Sequence, residues 1–368
     1  MVKKMSLREK GVAFFPNVEK LSGNPYWPML ARELEKTGVI FCSHTPDSFN
    51  LKWLIDNRHN VKILNLHFVQ QFYKSSTNIK KLIKLFLFAW YMIAARVLGY
   101  RTVFTLHNLE GTYVVQPAWM DYLGHWIAAN LSDRVIVYCN EARKLLAQRY
   151  GRRKGIYYVD HPNLINHYPN RISKEAARKR LHLPDTSLTF AFFGGVRPNK
   201  GVDILIQAFL KLKNDNYRLV IAGDIFPPEA YAQSLQDMAA GDERIKLYLK
   251  PIPDDEIQVY INASDIIVLP FAKILTSGTA NLAMSFARPV IVPRMGCLPE
   301  LVTPDFGWLF QPDNPDCLAE VMEKAASQDV EGVGQQAFNK LSQFTPERFA
   351  QQTLIAYFEN SNCLKQEN

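Results

Sequence analysis

LTFAFFGGVRPNKGVDILIQAFLKLK, residues 188–213, decides the fold class. Its first six residues form a β-rich apolar run, the pattern of a strand covered on both faces. Gly194 and Gly195 end that run, and VDILIQAFLKLK (202–213) follows with the spacing of a helix that packs on a sheet. Strand, glycine turn and helix open a βαβ unit, whose parallel sheet gathers ligands beyond the C-terminal ends of its strands. Arg197 and Lys200 lie in that turn, where a planar guanidinium and a compact ammonium suit phosphate oxygens. The turn is neither a G-x-x-x-x-G-K-[ST] loop nor a G-x-G-x-x-G fingerprint, and a surface turn with incidental charges is its plainer reading.

The same alternation extends outward in both directions. Downstream, YRLVIAGD (217–224), IKLYLK (245–250), DIIVLPF (265–271) and PVIVP (289–293) read as strands between helical segments that close with EVMEKAA. Upstream, GVAFF (11–15), VIFC (39–42), VKILNLHF (61–68), RTVFTLHN (101–108), RVIVYC (134–139) and GIYYV (155–159) alternate with helices such as NPYWPMLARELEKTG (24–38). At 368 residues the chain exceeds one ordinary core. Two doubly wound Rossmann-like domains are therefore expected, at 1–170 and 171–345. The helical PERFAQQTLIAYFEN (346–360) is expected to cross back to the first.

Composition is that of a globular protein, 48% hydrophobic and 21% charged. Residues 1–160 hold 23 Lys and Arg against 11 Asp and Glu, whereas 161–368 hold 20 against 24. The first half is thus suited to an anionic partner: a phosphorylated small molecule, an acidic membrane surface or nucleic acid. The five cysteines show no C-x-x-C pair and no zinc-like spacing. The N-terminus is basic but lacks the apolar region of a signal peptide, so a cytoplasmic location is expected. Leu85 to Ala95 is an apolar run of 11 residues, short of the roughly 20 that a membrane span needs. It reads either as a core helix or as an interfacial helix that offers Lys80, Lys81 and Lys84 to anionic headgroups.

A second anion-friendly loop follows the strand DIIVLPF. There Lys273 precedes Thr276, Ser277, Gly278 and Thr279 at the start of the helical NLAMSFA. Small residues at a helix start expose backbone N–H groups whose dipoles favour an anion. A plain N-cap by Ser277 or Thr276 explains the same residues.

FFGGVRPNKG, LVIAGD, DIIVLPF and SGTANLAMSFARPVIVPRMGCLPELV (277–302), with NPYWPMLARELEK, TLHN and HPNLINHYP upstream, together resemble the retaining glycosyltransferase family 4 over nearly the whole chain. The resemblance implies the GT-B fold, in which two Rossmann-like domains face each other across a cleft. The first would bind the acceptor and the second the nucleotide sugar. It implies that Arg197 and Lys200 hold the donor diphosphate, alongside Gly194, Gly195, Lys273, Ser277, Gly278 and Thr279. It also gives His107 a contact with the transferred sugar, with His67 and His161 as competing histidines. The family's pair of glutamates seven residues apart registers on Ile274 and Leu282, neither of which is a carboxylate. Glu300 is then the nearest acidic candidate for the ribose. Gly23, Asn24, Tyr26, Trp27 and Asn108 are expected at the acceptor, where an aromatic face suits a sugar or lipid-linked substrate.

The function implied is retaining hexosyl transfer from a nucleotide sugar, UDP-glucose first and GDP-mannose next, to a saccharide acceptor. A polyprenyl-diphosphate-linked saccharide used in surface polysaccharide synthesis would suit the basic first domain. No metal or cofactor is required, since no D-x-D pattern occurs. A sugar epimerase or phosphorylase of the same fold is one alternative. A non-catalytic protein binding nucleic acid or acidic membrane is another, although no recognisable nucleic-acid motif is present.

Overall fold

The computed structural model describes residues 11–17, 25–42, 45–46, 48–110, 117–226 and 229–359. The chain divides into two compact units, residues 1–161 with 345–368 and residues 162–344. This division falls before the position near 170 expected from the sequence. The reason lies in the connector's hydrogen bonds: Asn163 N donates to Phe344 O, Leu164 N to Ser285 Oγ and Arg171 N to Gln258 Oε1, all within the second unit.

The first unit runs β1 (Gly11–Phe15), α1 (Tyr26–Lys36), β2 (Ile40–Phe41), α2 (Leu51–Asn57), β3 (Ile63–Leu66), α3 (Gln70–Tyr73), α4 (Asn78–Val97), β4 (Arg101–Thr105), α5 (Ala118–Leu131), β5 (Arg134–Val137), α6 (Asn140–Tyr150) and β6 (Ile156–Tyr158). Its sheet has the order β2-β1-β3-β4-β5-β6, with every pairing parallel. Every residue of β1, β3 and β5 is buried, which is why these strands read as continuous apolar runs. The core on one face joins Phe14, Leu30, Leu34 and Ile136 to Phe349 and Tyr357 of the returning helix α15 (Pro346–Phe358). That helix starts at the N-cap Thr345, whose side chain accepts from Arg348 N, with Pro346 in its first turn.

The second unit contains α7 (Lys174–Arg180), β7 (Leu188–Phe193), α8 (Val202–Leu210), β8 (Tyr217–Ala222), α9 (Glu229–Ala239), β9 (Ile245–Tyr248), α10 (Ile257–Ala263), β10 (Ile266–Val268), α11 (Gly278–Ser285), β11 (Val290–Pro293), α12 (Leu298–Leu301), β12 (Gly307–Phe310), α13 (Pro315–Ala326) and α14 (Val330–Ser342). Its sheet is also parallel, in the order β12-β11-β10-β7-β8-β9. Asp265 pins the entry to this sheet, accepting from Thr189 N at 2.7 Å and from the buried Arg178 Nη2 at 2.7 Å. Removing one partner of so enclosed a pair costs about 3–5 kcal/mol.

Candidate functional site

In the second unit, the sheet order places β7 beside β10 and β10 beside β11, so the loops after these three strands are neighbours. Backbone contacts then join them. Ala272 N donates to Asn199 O at 3.2 Å, and Cys297 N donates to Leu275 O at 2.8 Å. Gly194 has φ +128°, and a Cβ on it would stand 3.5 Å from Thr279 Oγ1. A Cβ on Gly201, at φ +65°, would meet Pro270 O at 2.0 Å, so the β7 loop can approach the β10 loop only with glycine there. The two loops singled out from the sequence as anion-friendly therefore converge.

Both cations of the first loop lie on aromatic rings. The Arg197 guanidinium sits 4.2 Å from the Phe226 ring centroid, and Lys200 Nζ sits 4.4 Å from that of Phe271. Burial, with the Arg197 charge beside it, draws the Lys200 ammonium down to about 8. Among the described residues no carboxylate pairs with Lys200 Nζ. Two neighbouring cations, one of them desolvated, attract an anion strongly.

α11 adds backbone donors. Ser277 is its N-cap and accepts from Ala280 N at 3.1 Å, so the capping role is real for this residue. The N–H groups of Gly278 and Thr279 precede any intrahelical acceptor and are aligned with the helix dipole. Lys273 is exposed on the β10 loop and Glu300 is exposed on α12. Ile274 packs against the core and Leu282 is buried within α11, as suits apolar side chains at those places.

In the first unit, His67 and His107 meet at the C-terminal ends of β3 and β4, with His67 Nδ1 3.2 Å from His107 Nε2. Burial, followed by the neighbouring His161, holds His107 at about 3, and burial with His107 holds His67 well below its ordinary value. Both are neutral at pH 7, so one ring donates and the other accepts. His67 Nε2 is buried without a partner. A bare lone pair there costs less than an orphaned N–H. The favoured tautomers therefore have His67 donating from Nδ1 and leave His107 protonated on Nδ1.

Trp27 requires a correction. It is 1% exposed and packs 3.9 Å from the His67 centroid and 5.0 Å from that of His107. It is a wall of the histidine pair and presents no open face to a sugar. Tyr26 is half-buried, edge-on to His161 at 4.2 Å. Asn108 lines a small pocket with His107, Gln70 and His125. Gly23 and Asn24 lie outside the described residues. Reading by motif missed Phe226 and Phe271, since an aromatic that supports a cation carries no local signature. Among the described residues no group of three His, Cys, Asp or Glu side chains is placed to hold a metal.

Residues 187–328 match the family described as Glycosyl transferases group 1. The D-inositol 3-phosphate glycosyltransferase of Streptomyces avermitilis is 26% identical over 206 residues, covering 53% of this chain and 44% of the relative. The GDP-mannose:glycolipid 4-beta-D-mannosyltransferase of Xanthomonas campestris pv. campestris is 31% identical over 121 residues, covering 32% of this chain and 34% of the relative. The chain thus spans about half or less of the length of these two relatives. Among solved structures, Anabaena HepE in complex with UDP and glucose superposes with a TM-score of 0.71 at 18% identity, over 94% of this chain and 98% of that one. Sucrose-phosphate synthase from Thermosynechococcus elongatus gives 0.74 at 16% identity, over 95% and 98%. The chain has the GT-B fold, and its second unit is related in sequence to the group 1 glycosyltransferases.

Proposed function

We propose that the protein is a retaining hexosyltransferase whose second unit grips the diphosphate of a nucleotide sugar, UDP-glucose in first place and GDP-mannose in second. The observation that carries this reading is the approach of Gly194 to Thr279 at the start of α11, with Arg197 and Lys200 carried on the same turn as Gly194. Arg197 and Lys200 neutralise the departing diphosphate, and the N–H groups of Gly278 and Thr279 receive its oxygens. The acceptor hydroxyl attacks the anomeric carbon on the face the diphosphate leaves. The C–O bond to phosphate breaks as the new glycosidic bond forms, and the hydroxyl proton passes to the departing diphosphate oxygen. His107 supplies a neutral donor for the transferred sugar, and the ribose falls to Glu300. Ile274 and Leu282 occupy the places of the family's glutamate pair, so sugar selection rests on other groups.

The acceptor is a saccharide, and the Xanthomonas relative named for a glycolipid acceptor supports a lipid-linked one. That relative's name also specifies a β-mannosyl linkage, which makes product stereochemistry a direct test. UDP, GDP and their sugars should be screened for thermal stabilisation of the protein, then incubated with saccharide acceptors. Nucleotide release matched by acceptor growth, with the donor's anomeric configuration kept in the NMR spectrum of the product, is expected. An inverted anomer would reject retention. Free epimerised sugar or phosphate-dependent chain cleavage would reject transfer, and absence of binding to either nucleotide would reject the site.

A further inference from the structure

Helix α4 is apolar on two faces. Leu85, Phe88, Met92 and Ala95 turn inward and are buried, as a covering helix requires. A second stripe, steps of three and four residues from Ile79 through Phe86 and Trp90 to Val97, faces solvent, with exposures of 75%, 75%, 52% and 80% at these four positions. The neighbouring α5 and α2 pack beside α4 and extend the surface, α5 with Trp119 and Trp126. Eight of the large exposed hydrophobics among the described residues lie on α4, three on α5 and two on α2, against three elsewhere in the chain. One face of one unit therefore holds 13 of the 16 large exposed hydrophobics among the described residues, far beyond the scattered residues of an ordinary surface.

Charge identifies what covers it. α4 contains no Asp or Glu, and its first two turns carry Lys80, Lys81 and Lys84. The one acid of α5, Asp121, is buried. A second copy of this face would bring the three α4 lysines together with only Asp56 of α2 to answer them, and Asp56 has the exposed Lys52 on its own helix. An anionic bilayer answers both features, since headgroup phosphates receive the lysines while aromatic and aliphatic side chains enter the acyl boundary. No helix among the described residues is long and apolar enough to cross a membrane, which leaves α4 lying in the interface plane. We infer that the face formed by α4, α5 and α2 docks the first unit on anionic lipid bilayers, with α4 embedded along its length. Because α4 enters from the C-terminal end of β3, its lysine-bearing turns lie at the same end of the sheet as His67 and His107. A lipid-linked acceptor would meet the unit there, although docking itself does not depend on the proposed transfer.

Flotation of the full chain with phosphatidylcholine vesicles, with or without phosphatidylglycerol, tests this directly. Binding to the anionic vesicles that weakens in high salt is expected. Phe86→Ser with Trp90→Ser should lower the bound fraction at least about tenfold, and Lys80→Ala, Lys81→Ala and Lys84→Ala together should remove the preference for anionic lipid. These side chains are surface-facing, and unchanged melting of the variants would separate lost docking from lost folding. Quenching of the unaltered protein's tryptophan emission by brominated lipid gives a second readout without mutation. Absence of both flotation and quenching would overturn the inference. So would a concentration-dependent dimer that the Phe86/Trp90 change dissolves while vesicles remain unbound.

Discussion

Gly194 and Thr279 belong to different strand-end loops, yet a single added methyl on Gly194 would reach within 3.5 Å of the Thr279 hydroxyl. The φ of +128° at Gly194 is one that side-chain-bearing residues rarely adopt, so Gly194→Ala combines backbone strain of about 1–3 kcal/mol with a narrowed approach to α11. The variant is expected to melt a few degrees lower and to lose at least about tenfold in affinity for the nucleotide diphosphate, measured by calorimetry. Undiminished affinity would move the diphosphate away from this junction.

Lys200 makes a prediction in pH. Its folded value of about 8 lies below the 10.5 of an unfolded lysine, so the unfolded chain binds the extra proton between these values. The ligand-free protein should therefore gain stability as pH rises from 8 toward 10.5. Affinity for UDP or GDP should fall over the same range as the amine loses its charge. Lys200→Ala should abolish both trends and weaken binding near neutral pH by roughly 10- to 150-fold, the value of a charged hydrogen bond of about 1.5–3 kcal/mol. A wild-type affinity that does not change between pH 7 and 10 would remove Lys200 from the diphosphate.

The alternation of apolar strands and helices was legible in the sequence because both sheets are parallel and covered on both faces. Arg197, Lys200 and the start of α11 were legible because they sit at strand ends, where chemistry and spacing coincide. Other features had no local signal. VEGVGQQAFNKLS reads poorly as a helix, since Gly332 and Gly334 lower its propensity. It forms α14 because Gly334 lies against Ala287 O, where a Cβ would come within 2.2 Å. Trp27 looked available because aromatic residues near a glycine turn suit sugars, but tertiary packing buried it against two histidines. The sequence left α4 open between a core helix and an interfacial one, since its inward and outward stripes merge into a single apolar run.

The histidine pair makes a prediction about orientation. With His67 donating from Nδ1, His107 is fixed in one tautomer, so His67→Phe should keep the ring's volume while releasing His107. A kcat reduction of about tenfold is expected with KM for the donor little changed, and His107→Ala should cost more. Because both folded values lie below the ordinary 6.5, the unfolded state binds more protons at acid pH. The contribution of the pair to stability is thus complete above about pH 6.5 and declines as pH falls, and His67→Phe should lessen that acid sensitivity in urea titrations. A kcat equal to that of the unaltered enzyme would leave His67 with a packing role only.

Tyr357 gives the sharpest test of how the returning helix serves the first unit. It is fully buried in the core with Phe14 and Leu34, its hydroxyl is hydrogen-bonded to Asn65 of β3, and Arg101 donates to its carbonyl. Arg134 of β5 adds a donation to Ala356 O at 2.8 Å, so the end of α15 is tied to β3, β4 and β5. Tyr357→Ala should cost about 3–5 kcal/mol through the cavity and the orphaned Asn65, whereas Tyr357→Phe removes only the hydroxyl and should cost about 1 kcal/mol. Because every one of these partners belongs to the first unit, limited proteolysis of Tyr357→Ala should cut residues 11–161 early and leave 162–344 protected and able to bind the nucleotide. Simultaneous loss of both units, or of nucleotide affinity, would mean that α15 supports the second unit as well.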